Sequence, residues 1–184
     1  MATRLRHSRQ HPLRLAALLV AVALTTGACA GVTRTTFPPP GSSPAPVGDQ
    51  AAATITAVTA ALAAAGLPSI DANRQYRPPE GPLLAAAPRS VVQATLPDDP
   101  AHGFVVIYVF GSPATALAAA DDQAAYIESG VGRVQFAPDA HFVLRTLGST
   151  VVFYWWSPGA ALDARAQSVE DALLNVGDAV EVAA

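Results

Sequence analysis

Hydrophobic and polar positions change rhythm several times along the chain, and each change marks an element. Ile55, Val58, Leu62 and Ala65 recur at helical spacing. That predicts a helix over 50–65, capped by Asp49 and stopped by Gly66 and Pro68. Residues 68–88 carry no period, and Arg77-Pro78-Pro79-Glu80-Gly81-Pro82 excludes helix and central strand, so a long irregular connection is expected there. Residues 91–96 alternate, with Val92, Ala94 and Leu96 inward, as an edge strand does. Residues 104–110 are apolar on both faces, as in a central strand, and Pro97-Asp98-Asp99-Pro100 is the turn between the two. Ser112-Pro113 then provides a cap and a first-turn proline for a helix to 129, with Leu117, Ala120, Ala124 and Ile127 on one side.

The rhythm repeats. Residues 141–147 alternate, Gly148-Ser149 turns, and 151–156 (VVFYWW) is apolar on both sides. Ser157-Pro158 resembles the earlier cap, and Leu162, Ala166, Val169, Leu173 and Val176 continue at helical spacing. Residues 90–130 and 141–177 therefore read as two strand–strand–helix repeats. With both doubly apolar strands central, the expected fold is α+β: a four-stranded antiparallel sheet in the order 1-2-4-3, preceded by an N-terminal helix. The helices that follow strands two and four would pack side by side on one face, leaving the first helix to cover the other.

Ahead of this domain, residues 1–14 hold Arg4, Arg6, Arg9 and Arg14 and no acid, and 15–24 are apolar. The apolar run matches a signal-peptide core and is shorter than the ~20 residues of a spanning helix. It leads into Thr25-Thr26-Gly27-Ala28-Cys29, and Cys29 is the single cysteine of the chain. This stretch resembles the lipobox of bacterial lipoproteins, with Thr26 where an aliphatic residue is usual. The resemblance implies a signal peptide over 1–28, acylation of Cys29 by diacylglycerol and a palmitate-type chain, and a lipid anchor on the extracytoplasmic face of the cell membrane. Lipidation also accounts for a lone thiol in an exported protein. Residues 31–48, rich in Pro, Gly and Ser, read as a tether, which leaves 49–184 as one domain. That domain resembles small lipoproteins of high-GC bacteria, a likeness that carries no functional residues with it.

Charge narrows the partners. From Cys29 onward there are seven arginines, no lysine and fourteen acids, a net of −7, which disfavours nucleic acid. No cofactor motif, glycine-rich phosphate loop or metal-ligand spacing occurs in the sequence. Two histidines follow the signal segment, His102 after Asp98-Asp99 and His141 after Asp139. A hydrolase or metal-dependent enzyme would have to assemble them with nearby acids, whereas the expected topology leaves them in separate hairpins, one in a solvated turn and one on an edge strand. Asp121-Asp122 and Glu170-Asp171 read as solvated helix faces. An importer's substrate-binding lipoprotein normally has two lobes, more than this one domain offers. The expectation is thus a non-enzymatic binding or accessory domain in the envelope, docking an envelope protein or an apolar ligand. Tyr154, Trp155 and Trp156 would form the contact surface, bordered by Tyr76 from the proline-rich connection.

Overall fold

A computed structural model describes residues 48–72 and 76–182 of the protein. The signal segment, Cys29 and most of the tether lie outside the described residues. Among the described residues six strands form one antiparallel sheet: β1 (Ser69–Asp71), β2 (Arg89–Ala94), β3 (Phe104–Val109), β4 (His141–Leu147), β5 (Thr150–Trp156) and β6 (Asp178–Ala179). Their order is β1-β2-β3-β5-β4-β6. The α+β class stands, but the four-stranded sheet does not. β1 and β6 flank the longer strands, so neither β2 nor β4 is the sheet's edge strand. Both additions are too short for a period-two pattern to reveal them.

Among the described residues five helices accompany the sheet: α1 (Asp49–Ala64), α2 (Pro82–Ala86), α3 (Pro113–Glu128), α4 (Gly130–Arg133) and α5 (Arg165–Leu173). The connection expected to be irregular over 68–88 therefore holds a strand and a short helix. The sheet divides the core in two. Val105, Ile107, Val152 and Tyr154 face α1 and α5, packing on Val58, Leu62, Ala166 and Val169. Val106, Tyr108, Val151 and Phe153 face α3, with Leu84 of α2 and Phe136 beside it.

The helices after β3 and β5 consequently lie on opposite faces, not side by side. A two-fold axis exchanging the antiparallel neighbours β3 and β5 would stand perpendicular to the sheet and leave each face in place. The two strand–strand–helix units are therefore not symmetric copies. Burial explains the split. Each fully buried aliphatic contributes roughly 1.5–3 kcal/mol, and Val58 and Leu62 of α1 are thin cover for two Val- and Tyr-bearing strands. α5 completes that face.

Local chemistry sets where the helices start. Ser112 accepts from the Thr115 N–H, while the Thr115 hydroxyl accepts from the Ser112 N–H, a reciprocal cap in front of Pro113. Ser157-Pro158 does not repeat this. Its hydroxyl donates to Asp139 Oδ1 at 2.6 Å, α5 starts only at Arg165, and Leu162 is 76% exposed outside it. At the sheet's far end, the Thr54 and Thr150 hydroxyls meet at 2.8 Å and dock the start of α1 on β5.

Candidate functional site

The four residues expected to share one surface are divided by the sheet. Side chains alternate along β5, so Trp155 faces the α3 side while Tyr154 and Trp156 face the α5 side. Tyr154 is wholly buried, and its hydroxyl donates to the Ala166 carbonyl at 3.0 Å. Burial pushes its ionisation up. On the other face, the half-buried Trp155 donates its indole N–H to the Tyr76 hydroxyl at 3.0 Å. Tyr76 stacks on Phe104 with ring centres 4.4 Å apart, and Phe136 meets both Phe142 and Trp155 edge-on. Burial raises the Tyr76 ionisation as well. Tyr76 and Trp155 thus form one aromatic cluster, and Trp156 belongs to another.

That second cluster lies at the start of β4. Trp156 donates to Glu170 Oε2 of α5 at 2.5 Å, His141 Nδ1 stands 3.4 Å from the same oxygen, and the two rings are 5.0 Å apart. His102 lies at the same end of the sheet but with its own carboxylate. Asp99 Oδ1 is 2.5 Å from His102 Nδ1, and Asp99 Oδ2 accepts from the Leu162 N–H. Asp99 is 2% exposed, so this turn is not the solvated one expected from its composition.

Carboxylates from three segments hold the connection over 157–164. Asp99 reaches in from the β2–β3 turn. Asp139, just before β4, takes the Ser157 hydroxyl and the Gly159 N–H, both at 2.6 Å. These two bonds hold its carboxyl below the usual range. Asp163 accepts the Asp98 N–H and pairs with Arg165 at 2.6 Å. The Arg165 hydrogen bonds push its pKa down to about 2. These acids are occupied with loop structure, and no group of three potential metal ligands occurs among the described residues.

A further polar cluster was not read from the sequence. Gln123 of α3 is fully buried; it accepts the Gly81 N–H at 2.6 Å and donates to the Pro79 carbonyl. Beside it, the Tyr108 hydroxyl donates to Glu80 Oε1 at 2.5 Å, and Arg77 Nε lies 2.9 Å from Glu80 Oε2. The proline-rich connection is therefore pinned to α3 and β3. The available signal was a glutamine on the alanine-rich face of α3, where an unsatisfied amide would be costly. Asp122 also belongs here, accepting the Leu83 N–H.

A groove of about 350 Å³ runs along the outer edge of β4, at the end of the sheet where His141 lies. β6 pairs only with Arg145 and Thr146, and Val180 N–H donates to the Leu144 carbonyl. Beyond that bond, His141, Phe142 and Val143 form one wall while Glu181 and Val182 form the other. Arg133 closes the α3 side, its guanidinium 5.8 Å above the Phe142 ring, and Glu170 and Leu174 close the α5 side.

Comparison with family models, curated proteins and solved structures finds no match. No helix among the described residues is long and apolar enough to cross a membrane.

Proposed function

We propose that the chain is an exported lipoprotein, anchored to the extracytoplasmic face of the membrane through Cys29, whose α+β domain is a non-enzymatic binding module. The groove beside β4 is the observation that carries the binding reading. It is the place where half-buried aromatic surface, charges of both signs and an incompletely paired strand meet. Asp99, Asp139, Asp163 and Glu170, with His102 and His141, are engaged in holding loops or rings. His141 lines this groove, and Trp156 touches it only through Glu170 and the His141 ring. Tyr76 and Trp155 reach it only indirectly, through Phe136 and Phe142. Support for the anchor comes from the lipobox-like Thr26-Gly27-Ala28-Cys29 behind an apolar run.

The test is fractionation of the expressing host, with intact-mass analysis of the membrane-bound chain. Wild type is expected in the membrane fraction, cleaved before Cys29 and heavier by its acyl groups, and Cys29→Ala is expected to lose the acylation. An unmodified wild-type chain recovered outside the membrane would sink the anchored reading.

A further inference from the structure

We propose that the groove beside β4 receives a short extended peptide of another protein, which adds to the sheet where β6 stops. The proposal rests on the binding-module reading and names its ligand class. β4 presents backbone groups alternately to its two neighbours. The Val180 N–H donates to the Leu144 carbonyl, so the even-numbered residues of β4 direct their backbone groups outward, away from β5. Phe142 is the next even residue, and no backbone bond among the described residues meets it from outside. An outward N–H and C=O pair at the floor of a groove is the recognition element used in strand addition. The three residues of β4 that precede the Val180 bond, His141 to Val143, pair with β5 alone and span roughly 10 Å at ~3.3 Å each, enough for a few residues of extended chain.

The walls specify which peptide. A residue opposite Phe142 projects to the α3 side, where Arg133 stands above the Phe142 ring. Arg133 donates to the Pro138 carbonyl, and no carboxylate among the described residues pairs with it. Residues opposite His141 and Val143 project to the α5 side, where Glu170 and Glu181 lie. The complementary sequence therefore alternates an acidic residue with basic neighbours. Apolar flanks suit Leu144, Val180 and Val182. Such charge alternation fixes register and excludes the reversed pattern.

Acetyl-Val-Lys-Glu-Lys-Val-amide is the probe, and because it reads the same in both directions the test does not depend on strand polarity. The detergent-solubilised full-length chain is titrated into the fluorescent-labelled peptide and anisotropy is followed. Saturable binding is expected. It should weaken at least about tenfold for the charge-swapped Val-Glu-Lys-Glu-Val, and likewise on methylating the central amide nitrogen. Arg133→Gln and Glu181→Gln, both away from the core, should each weaken the parent peptide and leave circular dichroism unchanged. No binding by a folded chain, or binding indifferent to charge swap and N-methylation, overturns the proposal. Fractionation of the same samples keeps the readings apart. Peptide silence from a membrane-anchored chain defeats the peptide alone, whereas a chain free of the membrane defeats the anchor whatever the peptide does.

Discussion

Glu80 shows how a single side chain can be committed to structure in a segment whose sequence carries no period. Its carboxylate is 3% exposed, flanked by Arg77 Nε and accepting the Tyr108 hydroxyl. A carboxylate taken from water is costly unless partners replace the lost hydration. Tyr108 is one of those partners, and burial together with the Glu80 contact pushes its own ionisation well up. Tyr108→Phe keeps the ring but leaves Oε1 without its donor. The expected loss is about 1.5–3 kcal/mol, the range for hydrogen bonds to charged groups, read as a shift in the urea midpoint. Adding Glu80→Gln should recover part of it, because the neutral amide is cheaper to leave short of a partner. If Tyr108→Phe unfolds at the wild-type midpoint, this pair does not hold the proline-rich connection down. The sequence marked that connection through its prolines, but not that Gln123, Glu80 and Tyr108 would fasten it. Those partners come from α3 and β3, and no local pattern links them.

Among elements, the cap of α3 and the delayed start of α5 form an instructive pair. Both follow a Ser-Pro, and both read alike locally. At Ser112 the partner is Thr115, three residues away, so the sequence contains the whole motif. At Ser157 the partner is Asp139, eighteen residues away, and the helix waits until Arg165. Strands β2, β3, β4 and β5 were legible because each runs six or seven residues, long enough for its apolar pattern to show. β1 and β6 were not, since their pairing is dictated by neighbouring strands. The aromatic run of β5 was recognised as a candidate surface, yet strand alternation divides it between two faces.

The carboxylates gripping 157–164 make this connection sensitive to acid. Asp163 has its pKa lowered from 3.8 to about 2. A carboxyl depressed on folding stabilises above its unfolded pKa, and that contribution fades as pH falls from about 4 toward 2. Asp139 acts in the same direction. Asp163→Asn should therefore lower the melting temperature at neutral pH and flatten its decline over that window. An acid limb identical to wild type would mean that the Arg165 pair contributes nothing to folding.

For the whole molecule, two covered faces leave the sheet's edges as its accessible flanks. The β6 edge depends on Gly177, whose φ of +61° favours glycine. A Cβ there would stand 2.1 Å from the Thr146 carbonyl oxygen, and Arg145 donates to the carbonyls of Val176 and Gly177. Gly177→Ala combines a left-handed strain of about 1–2 kcal/mol with that clash, and should release β6 from β4. Hydrogen exchange would show it as lost protection at the Thr146 and Val180 amides, with β2 and β3 unchanged. Protection equal to wild type would mean the β4–β6 pairing tolerates the side chain.

The alternation that divides β5 also gives the molecule a pair of internal optical probes. Trp155 and Trp156 are adjacent in the chain, yet one indole is bonded to a phenol beneath the proline-rich connection and the other to a carboxylate at the rim of the groove. They are the only two tryptophans in the protein. Replacing either leaves a single emitter, and the two single-emitter proteins view opposite sides of one sheet. A disturbance confined to one side is then distinguishable, by colour and intensity of emission, from one that loosens the whole domain.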